Sequence, residues 1–167
     1  MTSVASLPSV VERSAPTYLF LGVSMRVLLS SQQTGGQFTM IEGTMPPGGD
    51  GGLHLHRFED ESMTILEGEL EVTIGDDVTV LRAGQSYFAP RGVPQRLRNL
   101  GKVPTRSLLV TTPGGFDEFI VKAGLRVEGE MPATPAMPAE PPTPEQMIAL
   151  LEMARMHGIE VLIPPGA

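Results

Sequence analysis

Two of the three histidines in the chain lie two residues apart, as His54-Leu55-His56. In a β-strand, residues i and i+2 project from the same face, so both imidazoles would point to one side and Leu55 to the other. A bend over residues 58–60 would bring Glu61 back beside the two rings. Two imidazoles and one carboxylate form a metal-ligand set that leaves coordination positions open for substrate and dioxygen. The spacing therefore suggests a metal centre at His54, His56 and Glu61, although an isolated H-x-H pair is often only solvated.

The segments around this pattern have the character of short β-strands. Between residues 17 and 112, apolar or alternating runs are separated by Gly, Pro and Asp at roughly the eight-to-twelve-residue spacing of all-β barrels and sandwiches. Residues 69–74 alternate strictly between polar and apolar side chains, and Gly75-Asp76-Asp77 would turn the chain into residues 78–81. The sequence therefore predicts an all-β fold with at least one tight hairpin.

Composition excludes several other classes of function. The chain of 167 residues has no Cys, which rules out disulfides, thiolate metal ligands and a Cys nucleophile. Its net charge of −7, without a basic stripe, argues against nucleic acid as a partner. No secretory signal or membrane-length apolar run is visible, so we expect a cytoplasmic protein with no membrane partner. No P-loop, dinucleotide fingerprint or G-x-S-x-G elbow is present.

Composition also divides the chain into four parts. We expect an N-terminal arm at residues 1–16, a barrel at 17–127, a Pro-rich linker at 128–143, and a C-terminal helix and tail at 144–167. Thr143, Pro144 and Gln146 have the spacing of a helix N-terminus with a capping box. The apolar face predicted to dock this helix on the barrel consists of Met147, Ile148, Leu150, Leu151 and Ala154. The third histidine, His157, falls at the helix end, where capping is expected rather than metal ligation.

Two glycine-bounded patterns carry a family resemblance. The first consists of Gly48, His54, His56, Glu61 and Gly68, and the second of Gly84, Pro90, Gly92, Gln95 and Asn99. In order and spacing these match the two cupin motifs, and the sequence resembles the single-domain cupins, in particular those likened to bacterial quercetin dioxygenases. The resemblance covers roughly residues 18–125. It implies a cupin fold, a jelly-roll barrel (double-stranded β-helix), here with a short helical C-terminal extension.

The second motif departs from the family at Gln95. The resemblance implies a metal-binding His at this position, and an amide oxygen is a weaker ligand than imidazole for late first-row metals. Gln95 could coordinate the metal, contact a metal-bound water, or contact substrate. Gln95 and Leu97 are expected to point inward, because Arg96 and Arg98 share the opposite strand face and prefer water. Asn99 is interpreted as a turn residue.

Residues near the motifs are candidates for a substrate pocket. Met63 and Ile65 have the same strand parity as Glu61, so they are predicted, with Leu97, to face the barrel interior. An apolar substrate pocket and ordinary core packing predict the same residues.

The resemblance implies an enzyme, a metal-dependent dioxygenase acting on a small aromatic or polyketide-like enolisable substrate. It implies one divalent transition metal (Fe, Mn, Ni or Zn) held by His54, His56, Glu61 and, if it coordinates, Gln95. Glu61, if freed from the metal, could be the general base. Two alternatives stay open: a non-oxidative cyclase or isomerase on the same site, and a small-molecule-binding cupin with a degenerate metal site. The family also implies a homodimer.

Overall fold

The computed structural model describes residues 15–167, so the N-terminal arm predicted at residues 1–16 lies almost entirely outside the described residues. The described chain contains these strands and helices: β1 (Thr17–Phe20), β2 (Val23–Leu29), β3 (Thr39–Met45), β4 (Leu53–His56), β5 (Asp60–Glu67), β6 (Glu69–Ile74), β7 (Asp77–Arg82), β8 (Ser86–Ala89), β9 (Gln95–Arg98), β10 (Thr105–Thr112), α1 (Phe116–Ala123), β11 (Leu125–Arg126), α2 (Pro144–Met156) and β12 (Ile159–Ile163).

The strands form two antiparallel sheets. The larger sheet has the order β11-β1-β2-β3-β10-β5-β8, and the smaller has the order β12-β4-β9-β6-β7. Their inner faces share one core, in which Ile41 and Ile65 of the larger sheet and Leu70 and Val72 of the smaller sheet are almost completely buried. The all-β prediction is confirmed.

The predicted hairpin forms between β6 and β7, with Ile74 paired to Asp77 across the turn. Leu70 and Val72 face the core while Glu69 faces water, as the alternation predicts. Gly68, between β5 and β6, has a φ of 78°, and a Cβ there would lie 2.8 Å from the Pro104 carbonyl oxygen. The turn that brings β6 under β5 therefore requires glycine at this position.

The C-terminal helix α2 packs on the barrel. The capping box between Thr143 and Gln146 is formed as predicted. Ala154 is buried, and Leu150 and Met153 pack against the core. Ile148, however, is 59% exposed, so its predicted place on the docking face is wrong.

The error at Ile148 follows from helix geometry. Met147, Leu150, Leu151 and Ala154 are spaced i, i+3, i+4 and i+7 and share one side, whereas Ile148 lies about 100° from Met147 around the axis. The chain then continues into β12, which pairs with β4, the strand that carries both motif histidines. Residues 15–167 contain no helix that is both long enough and apolar enough to cross a membrane.

Candidate metal centre

Strand β4 presents His54 and His56 to the same internal cavity. Both side chains line the cavity, while Leu55 does not, as expected from strand parity. The imidazole centroids are 5.4 Å apart and the ring planes meet at 69°. The strand is fixed on both sides, because β12 pairs with it along one edge and Gln95 of β9 pairs with His54 along the other.

The hydrogen bond of His54 determines which of its nitrogens is free. Its Nδ1 lies 3.1 Å from the Gly52 carbonyl oxygen. A carbonyl can only accept, so Nδ1 carries the proton and donates it, which leaves the Nε2 lone pair available. Burial, together with the neighbouring His56, lowers the pKa of His54 below its ordinary value. A neutral imidazole is the form that binds a metal.

Glu61 reaches the two histidines from the opposite sheet. It is 3% exposed, and its Oε2 lies 3.3 Å from His56 Nε2. Its other oxygen, Oε1, accepts a hydrogen bond from the Tyr87 hydroxyl on β8. Burial alone would raise the pKa of Glu61, but His56, with help from Tyr87, outweighs burial and holds the pKa below its ordinary value. Burial and the Glu61 charge raise the pKa of Tyr87, so Tyr87 remains a donor.

His56 lies between two carboxylates. Its Nε2 faces Glu61, and its Nδ1 lies 3.5 Å from Oε2 of Glu59, which is also buried. Burial disfavours a charged imidazole, but Glu59 and Glu61 together outweigh burial and raise the pKa of His56 to about 9. Without a metal, this imidazole therefore holds a proton between the two carboxylates.

His56 and Glu61 have the spacing of two ligands of one divalent transition metal. Two donors each about 2.1 Å from one metal, at 90–109°, are separated by roughly 3.0–3.4 Å. The 3.3 Å between His56 Nε2 and Glu61 Oε2 lies in this range. Glu59 lies on the other edge of the His56 ring, so Glu61 is the better candidate ligand of the two. Within residues 15–167, no three His, Asp or Glu side chains are already gathered as a complete ligand set.

Gln95 is a fully buried amide without a full set of partners. It is 1% exposed, lies opposite His54 in the β4–β9 pair, and its Oε1 has no hydrogen-bond partner among residues 15–167. Arg96 and Arg98 occupy the other face, in ion pairs with Asp50 and Glu71. Gln95 therefore lies on the same sheet face as His54 and has an acceptor to spare, which fits a metal or a metal-bound water.

Asn99 behaves as the turn residue that the sequence predicts. Its side-chain nitrogen donates to the carbonyls of Met45 (3.0 Å) and Val103 (2.9 Å), and its oxygen accepts from the Gly101 amide (3.0 Å). His157 caps the C-terminus of α2, and its Nε2 lies 3.1 Å from Lys122 Nζ.

The imidazoles and Glu61 open onto an apolar cavity of about 140 Å³. Met63 and Leu97 line it, as predicted. Ile65 does not, and its place in the predicted pocket is corrected to the core, where it is completely buried. Strand parity fixes the face of a side chain but not its depth, and Ile65 lies two residues further along β5, where its backbone bonds Gly84 and Gln85.

Several residues around the site are not predicted from the sequence. Phe116 and Phe119 of α1 form one wall, and the inner face of α2 forms another. The Phe116 ring packs edge-on against His56, with centroids 5.2 Å apart. From the sequence, Glu59 lies in a loop, where a solvated side chain is expected, and Tyr87 lies in a four-residue strand. Only the pairing of Tyr87 with Met63 across β5 and β8 brings that hydroxyl to Glu61.

Comparisons with known proteins agree with this fold. Residues 41–111 match the family described as Cupin domain. The xanthan biosynthesis protein XanB of Xanthomonas campestris pv. campestris (strain B100) is 39% identical over 88 residues, which are 52% of this chain and 19% of XanB. The tetracenomycin polyketide synthase protein TcmJ of Streptomyces glaucescens is 32% identical over 95 residues, which are 55% of this chain and 62% of TcmJ.

A solved structure of a Thermotoga maritima protein, described as a predicted oxalate decarboxylase, superposes with a TM-score of 0.56 and 27% identity. The superposition covers 62% of this chain and 99% of that one. The two sheets, the family match and this likeness together show that the chain has the cupin fold, as its two motifs predict. The matched region spans about a fifth of the length of the XanB relative.

Proposed function

We propose that this chain is a metal-dependent cupin enzyme that adds dioxygen to a small, enolisable aromatic or polyketide-like compound. The observation that carries the proposal is the group of His54, His56 and Glu61, the last two of them buried, at the wall of an apolar cavity. Buried ionisable side chains that meet in a concave apolar site are the usual mark of a functional centre.

The cavity favours a substrate with an apolar body. Apolar side chains, chiefly phenylalanine, methionine and leucine, form most of its walls, and among its described lining residues none is Lys or Arg. A phosphate would be desolvated there with no Lys or Arg side chain to pair with it, which disfavours sugar phosphates. Its volume of about 140 Å³ resembles that of a cavity of about 150 Å³ that holds benzene, so a body of one ring fits. The similarity to TcmJ, named as a polyketide synthase protein, supports a polyketide-like class.

The residues of the site have two proposed roles, metal binding and proton transfer. His54, His56 and Glu61 would hold the metal, with Gln95 beside them. When bound, the metal supplies a Lewis acid and a place where substrate and dioxygen meet. Glu61, if released, accepts the enol or phenol proton, and Tyr87 keeps its other oxygen fixed. Both oxygen atoms of dioxygen enter the product, so no external reductant is required.

One alternative keeps the site and omits the oxidant. A Lewis-acid metal can polarise a carbonyl, and the same base can move a proton, which gives isomerisation or cyclisation of the substrate. The similarity to TcmJ favours this candidate as much as the first one, because TcmJ is named as a polyketide synthase protein and its name specifies no oxidation.

The test begins with metal content. Elemental analysis of the purified protein should find one transition metal per chain, and the double variant His54→Ala/His56→Ala should have almost none. His157→Ala is the matched control, because it removes the third histidine from outside the cavity. A double variant that keeps the full metal content would refute the proposed site.

Oxygen uptake then separates the candidate reactions. 1,3-Diketones and monocyclic phenols serve as probes, with the metal-loaded protein and the double variant side by side. Metal-dependent oxygen consumption matched to substrate loss supports the oxygenase. Substrate loss that is unchanged without dioxygen supports the isomerase or cyclase. Probe binding without turnover, retained by the double variant, overturns both and leaves a binding protein.

A further inference from the structure

A second carboxylate is buried behind the candidate ligands. Glu59, in the loop between β4 and β5, is 5% exposed, and its Oε2 lies 3.5 Å from His56 Nδ1. The next residue, Asp60 at the start of β5, is by contrast partly exposed and paired with Arg91. Within residues 15–167, neither Glu59 Oε2 nor His56 Nδ1 has a hydrogen-bond partner of normal geometry, so the two buried atoms, 3.5 Å apart, are available to each other.

A buried carboxylate is costly unless something compensates its charge. The start of helix α1 does so at Glu59. Its Oε1 lies at the start of α1, where the helix dipole favours a negative charge. The N-cap residue of α1 is Gly115, which has a φ of 149°. A Cβ at Gly115 would lie only 3.3 Å from Glu59 Oε1. The fold thus leaves space for the Glu59 carboxylate and holds it against His56.

The two candidate ligand histidines then differ in one respect. His54 donates its Nδ1–H to a neutral backbone carbonyl, that of Gly52. His56 has an anionic carboxylate at the same position on its ring. A carboxylate that accepts the outer N–H of a ligand imidazole fixes the tautomer and ring orientation and makes the other nitrogen a stronger donor.

We infer that Glu59 is the positioning residue of the candidate metal centre: it accepts the Nδ1–H of His56 and directs the Nε2 lone pair to the metal shared with Glu61. This inference rests on the proposed function, because it requires the metal. It also accounts for charge, since Glu59 and Glu61 together neutralise a divalent cation in a buried site. Glu59 itself does not touch the metal, because it lies on the opposite edge of the ring.

The test compares Glu59→Gln, which keeps the shape and removes the charge, with Glu59→Asp, which keeps the charge on a shorter stem. Glu67→Gln is the matched control, because Glu67 is exposed and pairs with Arg106 at the surface. Zn(II) is the probe, and its dissociation constant is measured by competition with a chelator. We expect Glu59→Gln to weaken binding 10–100-fold, which corresponds to about 1.4–2.7 kcal/mol, with partial recovery in Glu59→Asp and no change in Glu67→Gln.

A spectroscopic measurement separates positioning from general stability. In ¹⁵N NMR of the Zn(II)-loaded protein, His56 should bind through Nε2 and carry its proton on Nδ1, with an Nδ1–H resonance that shifts in Glu59→Gln. An unchanged affinity and an unchanged Nδ1–H resonance in both Glu59 variants would overturn the inference while the metal site stands. If His54→Ala/His56→Ala binds Zn(II) as well as the unaltered protein, the proposed site and this inference both fail.

Discussion

The unpaired oxygen of Gln95 predicts that this residue lowers the stability of the metal-free protein. The side chain is 1% exposed, and its Oε1 lacks a hydrogen-bond partner in the part of the chain that the structure describes. A buried acceptor without a partner costs about 1–3 kcal/mol. Methionine has a similar length and adapts to irregular packing without requiring a polar contact. Gln95→Met should therefore raise the free energy of unfolding of the metal-free protein by about 1–3 kcal/mol, and each kcal/mol corresponds to about 2–4 °C in Tm for a chain of this size.

Metal affinity should respond differently to changes at the same position. Gln95→Met should keep the metal on His54, His56 and Glu61, whereas Gln95→His should tighten Ni(II) or Zn(II) binding because imidazole is the better donor for both. We expect a gain of about tenfold, or about 1.4 kcal/mol. Thermal unfolding of the metal-free proteins and chelator competition with the loaded ones measure the two effects separately.

Asn99 provides the matched control for Gln95. Both amides are buried, but both polar atoms of Asn99 are bonded, to Met45 and Val103 through nitrogen and to Gly101 through oxygen. Asn99→Leu should therefore lower the Tm, opposite in sign to Gln95→Met. If the two variants are destabilised alike, Gln95 is an ordinary bonded core amide and the reasoning that reserves its oxygen for the metal is refuted.

Two further predictions concern the C-terminal segment. Ala154→Asp places a carboxylate in the buried face of α2 and should destabilise the protein by about 3 kcal/mol or more, while Ile148→Asp, on the exposed face, should stay within about 0.5 kcal/mol; equal melting curves for the two variants would contradict docking of α2. Asp50 bonds Arg96 and the Gly166 amide, and these contacts, with the Gly52 amide, outweigh burial and lower the pKa of Asp50. A carboxyl group whose folded-state pKa is depressed stabilises the fold above its unfolded pKa of about 3.9, and this stabilisation is lost as the pH falls through the folded pKa. Asp50→Asn should therefore lower the Tm at pH 7 by more than at pH 3, and a Tm difference that is the same at both pH values would count against the linkage.

Local patterns predict the fold well because strand parity and turn chemistry act over only a few residues. The hairpin at Gly75, the inward face of Leu97 and the capping box at Thr143 each follow from neighbours in the sequence. Ile148 is misplaced because α2 has apolar residues on more than one side, so hydropathy alone does not select the face that docks.

The sequence predicts the candidate site only where one strand or one bend determines the position of a side chain. The shared face of His54 and His56 follows from their spacing, and Glu61 from a single bend. Glu59 and Tyr87 depend on distances that no local pattern encodes, since the first requires the start of α1 behind it and the second requires the β5–β8 pairing. A buried carboxylate in a short loop has no signature in the sequence that distinguishes it from a solvated one.

The candidate ligands and much of the cavity wall come from different parts of the chain. Similarity to relatives over residues 41–111 therefore says little about the substrate. The family match at residues 41–111 contains the candidate ligands and Gln95. Much of the apolar wall lies outside that match, in β1, β2, α1, α2 and β12, at positions such as Phe20, Met25 and Phe119. Proteins that share residues 41–111 can therefore share the candidate ligands while other residues form the walls that contact their substrates. In this chain those walls are hydrocarbon and thioether, so the proposed substrate class rests on the chemistry of the cavity lining and not on the similarity of residues 41–111 to other proteins.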